Sequence, residues 1–377
     1  MKILFVVEYY FPHIGGVETF FQHLAEGLAA KGIEVEIVTS CLPGTKMDEV
    51  LNGVAIHRIR LPRLGLRYWF TLCAVFPIWR RASSCDVIHT TTYNAAFPAW
   101  LAAKLLRKKV LITVHEIWGD LWFRAIRMNK LSAWLHWLFE RFVVRLTFDA
   151  YVGVSDVTRS AIQAVHRSGK NIQRIYHGID YQLFDPTMHD GAKERERLNL
   201  GSGFLYLYFG RTGWAKGIDS LLESVPEIAQ AIPGSYCLLL LSRDPVQPFR
   251  AIEETIRRLG IGQKVKLIDP LPRNELPNLL SVVDCVVVPS ISEGFGFTTA
   301  ESCAMGKPVA VSRAGSLPEV ASGDVHFFEP GDPKGIARAV IDIAKGQRAL
   351  VPQKRFEWET AISAYEALYR KLLERPA

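Results

Sequence analysis

The chain has no C-x-x-C pair and no histidine at metal-ligand spacing from any of its six cysteines, Cys41, Cys73, Cys85, Cys237, Cys285 and Cys303. Scattered through apolar runs, these cysteines read as small buried side chains in a reducing compartment, and a disulfide frame or zinc site is not expected. Long apolar runs are also missing. The most apolar extended stretch, residues 131–148, carries His136, Glu140, Arg141 and Arg145, which are costly in a bilayer, so no transmembrane helix is expected. The run Ile3–Val7 is cut short by Glu8 and reads as a first strand rather than a signal peptide. There is no low-complexity tract and no internal repeat, which excludes solenoids and arrays. Acidic residues are scarce early: residues 1–180 hold 22 Lys and Arg against 14 Asp and Glu, a net of +8, while the remainder sums to −1. A basic half suits an anionic partner, with lipid headgroups, a phosphorylated acceptor and RNA all open on charge alone; a solvated basic face is the plain alternative.

What is present is the material of a folded, two-domain protein. A chain of 377 residues, 49% hydrophobic and 22% charged, is long enough for two ordinary cores. Short runs rich in Val, Ile, Leu and Phe (Ile3–Val7, Val35–Thr39, Val54–Ile59, Asp86–His89, Val110–Val114, Tyr151–Val154) alternate with stretches of helical spacing (Glu18–Lys31, Leu66–Arg81, Asn94–Leu106, Leu131–Leu146). This strand–helix rhythm predicts a mostly parallel sheet. The rhythm restarts at Phe204–Phe209 and runs on through Tyr236–Leu241, Val265–Ile268, Cys285–Pro289, Val309–Val311 and Val325–Phe328. The polar run Asp185–Gly203 shows no buried periodicity and is placed at the junction. The expectation is therefore α/β: two facing Rossmann-like doubly wound domains, residues 1–183 and 184–355, with the ligand in a cleft beyond the strand ends.

Three loops carry the chemistry. Gly15-Gly16 ends the turn after the first strand, just before a helix near Val17, where backbone can approach an anionic or polyhydroxyl group, although a plain tight turn would look the same. Gly210-Arg211-Thr212-Gly213-Trp214-Ala215-Lys216-Gly217 follows the strand that opens the second half; two cations bracketing a glycine-rich loop can converge on a diphosphate. The most informative segment, Glu293-Gly294-Phe295-Gly296-Phe297 through Glu301, follows the strand at Cys285–Val288. Its glycines lead into a helix N-terminus suited to diphosphate, and Glu301, about a turn into the helix, can accept hydrogen bonds from two ribose hydroxyls. A glycosidase pair fits less well, because one acid precedes the glycines and the other follows them. His115, ending the strand Val110–Val114, is a candidate for contact with a sugar or a satisfied structural histidine. Ser155 and Asp156 read as a helix cap, and Tyr176-His177-Gly178-Ile179-Asp180 as a turn at the crossing between domains. Aromatic and basic residues cluster at Arg67, Tyr68, Trp69, Phe70, Trp79, Arg80 and Arg81, and again at Trp118, Trp122, Phe123, Arg124, Arg127, Lys130, Trp134 and Trp137. Such mixtures suit an anionic membrane surface or a packed core.

Together these motifs resemble the retaining family 4 (group 1) glycosyltransferases of GT-B fold over nearly the whole length. The resemblance rests on Gly15-Gly16-Val17-Glu18, Thr113-Val114-His115, Val154-Ser155, Gly178-Ile179-Asp180, Gly210-Arg211 with Lys216-Gly217, and Glu293 through Glu301. It extends to Gly306-Lys307-Pro308-Val309 and to Gly315 with Pro318-Glu319. It implies a nucleotide diphosphate sugar donor, UDP- or GDP-linked, with Arg211 and Lys216 on the diphosphate and Glu301 on the ribose. Glu293 and His115 would contact the transferred hexose, and Gly15, Gly16, Gly294, Phe295, Gly296 and Phe297 would line the donor. No bound metal or cofactor is implied, in keeping with the lack of a D-x-D motif at a strand end.

The implied reaction retains anomeric configuration without an enzyme nucleophile, the acceptor attacking the face that the diphosphate leaves while a donor phosphate oxygen helps to take its proton. The first domain would bind the acceptor, which is a lipid-linked molecule or a growing glycan, and a C-terminal helix within 356–377 would pack back on it. Nucleic acid is not an expected partner. The chain is expected in the cytoplasm, free or docked on the inner face of a membrane. His177 stands where the family commonly has Asn, and Glu116 where Asp or Gly is frequent, which leaves the sugar and acceptor open. A phosphorylase, a nucleotide-sugar epimerase and an inactive sugar-nucleotide-binding subunit are the alternatives.

Overall fold

The computed structural model describes residues 1–62, 66–124, 128–166, 171–198, 200–242 and 249–374. It divides into two compact units, one made of Met1–Arg124, Met128–Gly178 and Phe356–Ala377, the other containing Ile179–Arg355. Both are α/β, each with a parallel-dominated mixed sheet and flanking helices. Arg127 and the side chain of Arg67, from the aromatic–basic clusters, lie outside the described residues.

The first unit runs β1 (Lys2–Val6), α1 (Gly16–Ala30), β2 (Glu34–Ser40), β3 (Asp48–Leu51), β4 (Val54–Ile59), α2 (Leu66–Cys73) and α3 (Val75–Ala82). It continues with β5 (Val87–Thr91), α4 (Ala96–Leu106), β6 (Lys109–Val114), α5 (Lys130–Arg145), β7 (Ala150–Gly153), α6 (Asp156–Val165) and β8 (Ile172–Arg174). The sheet order is β3-β4-β2-β1-β5-β6-β7-β8. All pairs are parallel except β3 with β4. The central strands are buried on both faces, as their unbroken apolar runs require. Ser155 caps α6, its Oγ accepting from Thr158 N at 3.1 Å.

One helix expectation is corrected here. The helical spacing from Leu66 to Arg81 is broken into α2 and α3 at Ala74. Pro77 has no N–H to return to the carbonyl of Cys73, the last residue of α2; as the third residue of α3, it sits where a missing donor costs nothing. The strands β3 and β8 were not visible in the pattern because each is short and only partly buried.

The second unit runs α7 (Gly191–Arg197), β9 (Leu205–Gly210), α8 (Ile218–Ala231), β10 (Tyr236–Leu241), α9 (Arg250–Arg258), β11 (Val265–Ile268) and α10 (Leu276–Val282). Then come β12 (Cys285–Val288), α11 (Phe297–Ala304), β13 (Val309–Ser312), α12 (Leu317–Val320), β14 (Gly323–Phe328), α13 (Pro333–Ala344) and the two-residue β15 (Leu350–Val351). Its order is β11-β10-β9-β12-β13-β14-β15, antiparallel only at β15. The polar run after residue 185 is not wholly irregular. Asp190 caps α7 by accepting from Ala192 N and Lys193 N, a local signal that burial periodicity does not register.

The last helix, α14 (Trp358–Glu374), belongs to the first unit. Tyr365, Leu368, Tyr369 and Leu372 join Phe20, Phe21, Leu24 and Leu28 of α1 in one buried cluster. The two helices meet closely at Gly27, where an added Cβ would lie 2.2 Å from Ile362 Cδ1. Among the described residues no helix is long and apolar enough to cross a membrane.

Candidate functional site

In a doubly wound sheet the strand order reverses at one point, where the loops leaving two neighbouring strands diverge and leave a crevice. In the second unit that point lies between β9 and β12, which pair through Tyr206↔Cys285 and Leu207↔Val286. Both motif-bearing loops leave from there: residues 211–217 after β9, and residues 289–296 after β12.

The loops are joined by backbone and side chain. Ile291 N and Ser292 N both donate to Ala215 O, at 2.7 and 3.3 Å. Lys216 Nζ lies 2.7 Å from Glu293 Oε2, and Ser290 Oγ donates to the same oxygen at 3.1 Å. Ser316 N and Ser316 Oγ donate to the Glu293 carbonyl, at 3.1 and 3.2 Å. Glu293 is therefore held through carboxylate and main chain together. Two positive-φ glycines make this approach possible. At Gly217 (φ +67°) a Cβ would lie 1.9 Å from Pro289 O, and at Gly315 (φ +51°) one would lie 2.2 Å from Glu293 O. No other residue type fits either contact.

Arg211 is placed differently from Lys216. Its side chain is exposed, and among the described residues it forms no salt bridge, while its carbonyl accepts from the Tyr208 hydroxyl at 2.6 Å. Burial, then the nearby Glu293 carboxylate, push the Tyr208 phenol upward, so it stays a neutral donor to that carbonyl.

Glu301 and Glu293 have separate partners. The Glu301 side chain is 3% exposed on α11, paired with Arg273 Nη2. Burial pushes its carboxyl above the ordinary range, and the Arg273 guanidinium opposes that shift. The Arg273 guanidinium sits 5.5 Å from the centre of the Phe184 ring. At the start of α11 the cap is Gly296, which offers no side chain to the helix N–H groups. Thr299 Oγ1 is buried there with no partner among the described residues. Phe295 is buried and packs edge-on against Phe297, centroids 5.3 Å apart; Gly294 lies between Glu293 and Phe295 in the same loop.

In the first unit, Gly15 is the extended N-cap of α1 and Gly16 its first residue, with Gly15 O accepting from Thr19 N at 2.9 Å. The Glu18 carboxylate reaches back over Gly15, Oε2 only 2.3 Å from where a Cβ would stand. His115 follows β6, and its Nδ1 lies 3.3 Å from His177 Nε2. Burial lowers its pKa to about 3, and its Nε2 is covered with no partner among the described residues. A second buried histidine, His89, bonds Tyr369 OH at 2.7 Å and Thr113 Oγ1 at 2.8 Å.

Sequence reasoning missed Arg273, Ser290, Ser316 and the pairing of His177 with His115. Ser290 sits three residues before Glu293 and could have been noticed; Arg273 and Ser316 come from other loops, which spacing does not connect. Among the described residues no group of three or more His, Cys, Asp or Glu side chains is placed to hold a metal ion.

Two such sheets define the GT-B class of α/β fold, and solved structures of that class superpose along nearly all of the chain. Sucrose-phosphate synthase from Thermosynechococcus elongatus aligns with TM-score 0.80 at 22% identity, covering 99% of each chain. Anabaena HepE in complex with UDP-glucose aligns with TM-score 0.76 at 19% identity, covering 98% of this chain and all of that one. The sequence profile of Glycosyltransferase Family 4 matches residues 14–183, and that of Glycosyl transferases group 1 matches residues 203–345. The chain belongs to this family of glycosyltransferase enzymes. A D-inositol 3-phosphate glycosyltransferase of Corynebacterium urealyticum is 26% identical over 96% of this chain and 92% of its own length.

Proposed function

We propose that the protein transfers a hexose from a nucleotide diphosphate sugar to an acceptor with retention of anomeric configuration. The observation that carries this reading is the Lys216–Glu293 pair at the β9/β12 reversal, where a doubly wound sheet binds its ligand. In this reading Lys216 and the exposed Arg211 take the donor diphosphate, whose charge grows as the glycosidic bond breaks. Glu293 contacts the sugar, and Glu301 receives the ribose hydroxyls. The N-terminus of α11, with Gly294, Phe295, Gly296 and Phe297 leading into it, faces the phosphates. No nucleophile from the protein is required: the acceptor attacks on the face that the diphosphate vacates, and a donor phosphate oxygen helps to take its proton. Positioning and charge stabilisation supply the rate enhancement.

Uridine is the favoured base, supported by the UDP-glucose complex of HepE; a guanosine diphosphate sugar is the competing donor. The first unit is assigned to the acceptor, a lipid-linked molecule or a growing glycan, and Gly15, Gly16 and His115 are its candidate sugar contacts. Its basic excess supports contact with an anionic membrane on the cytoplasmic face. The test is a panel of nucleotide sugars screened for thermal stabilisation, because a ligand that binds only the folded form raises the melting temperature. Product analysis with the stabilising donor follows. Stabilisation by no sugar nucleotide, or by UDP-sugars in a Lys216→Ala, Glu301→Ala double variant as strongly as in the parent, overturns the assignment.

A further inference from the structure

The helix α5 carries two apolar faces where an ordinary surface helix carries one. Ala133, Val143 and Val144 face the interior. Leu131, Trp134, Leu135, Leu138 and Phe142, again at helical spacing, are exposed. Between this second face and α2 runs a groove of about 550 Å³, walled by Leu72, Leu131, Leu135 and Phe139, with Asn129 and Ser132 among its polar lining residues. The two helices are tied across it by Tyr68 OH and His136 Nε2, 3.0 Å apart. The volume is that of a pocket for a small organic ligand. The next helix, α3, exposes Phe76 and Trp79.

The charge around these helices selects the occupant. Residues 60–148 contain 14 Lys and Arg against 4 Asp and Glu, a net of +10 in a chain whose total is +7. The one acid on α5, Glu140, is buried and taken by Trp118 N, Gly119 N and Trp122 Nε1. Lys130, Arg141 and Arg145 on the same helix are exposed. On α5 itself the exposed apolar face is accompanied by these three cations and by no exposed acid, a combination that complements an anionic lipid layer.

We propose that the groove between α2 and α5 takes one acyl chain of an anionic bilayer phospholipid, while neighbouring Lys and Arg side chains meet the headgroups. This rests on the membrane-contact part of the proposed function, to which it gives a place and a mode, and is independent of the donor chemistry.

The experiment uses the full chain with phosphatidylcholine vesicles, with and without phosphatidylglycerol, and with dioctanoyl phosphatidylglycerol below its micelle concentration. The expected result is sedimentation with the anionic vesicles only, and saturable binding of one dioctanoyl lipid that glycerol 3-phosphate does not displace. The variant Leu72→Ser, Leu135→Ser changes side chains that are 65% and 51% exposed, so the fold should persist. Its affinity for both probes should fall by at least about tenfold, the effect of losing roughly 1.4 kcal/mol. Val50→Ser, at a still more exposed apolar position on β3, should leave both unchanged. Undiminished binding by the double variant, or equal binding of glycerol 3-phosphate alone, overturns the proposal. Donor-induced thermal stabilisation is read on the same samples: its presence without lipid binding sinks this inference alone, and its absence with lipid binding sinks the donor assignment alone.

Discussion

Lys216 Nζ and Glu293 Oε2, 77 residues apart in sequence, meet at 2.7 Å across the two loops that leave β9 and β12. Each thus keeps the other's charge compensated before any ligand arrives. Removing either should do more than delete one contact. We expect Lys216→Ala and Glu293→Ala each to reduce transfer by at least about tenfold, or about 1.4 kcal/mol of transition-state stabilisation. Steady-state kinetics on the purified variants, with melting temperatures to confirm folding, provide the check; undiminished turnover in both would end the proposed roles.

Gly217 should not tolerate even a methyl group. Its φ of +67° and the 1.9 Å that would separate an added Cβ from Pro289 O predict that Gly217→Ala destabilises the second unit by about 1–3 kcal/mol. Denaturant titration reads this directly. Gly262→Ala, where a Cβ would meet nothing within 4 Å, is the matched control and should stay within about 0.5 kcal/mol of the parent.

Arg273→Ala leaves the buried Glu301 carboxylate without its cation. Because the Arg273 side chain is itself about one-third exposed, the loss should fall nearer 1–2 kcal/mol than the roughly 3–5 kcal/mol of a fully buried pair. The remaining carboxyl should hold its proton to higher pH than in the parent. An NMR titration of side-chain carboxyl carbons measures the shift; an unchanged Glu301 titration would count against the pairing.

Burial depresses the pKa of His89, His115 and His177 in the first unit, that of His115 to about 3. In the unfolded chain a histidine takes up its proton near pH 6.5. Below that pH the unfolded state binds more protons than the folded one, so stability is lost as pH falls through 6.5 and downward. The slope should approach about 1.4 kcal/mol per pH unit for each such histidine. Denaturant titrations between pH 7.5 and 5, values chosen to bracket about 6.5, should show this fall. His177→Asn should flatten it by about one histidine's share.

The architecture was readable because its carriers are long or buried on both sides. Continuous apolar strands such as Leu205–Gly210 and Cys285–Val288 announce a parallel core, and the stripe through Phe20, Leu24 and Leu28 announces a helix. What escaped were local devices. Pro77 splits a helical stripe without altering its periodicity, and Asp190 starts α7 in a segment that buries almost nothing. At the candidate site, the residues within one loop were legible. Arg273 and Ser316 were not, since only the folded chain carries them to Glu301 and Glu293.

The tyrosines of α14 have a consequence for biosynthesis. Tyr365 and Tyr369 complete the first unit's interior by bonding Thr113 and His89, yet they emerge from the ribosome after the whole of Ile179–Arg355. The early-made half must therefore wait, with part of its interior open, while the later-made half is synthesised and becomes free to fold. A nascent chain stalled before residue 356 should be a chaperone client through its first half, with its second half already resistant to protease.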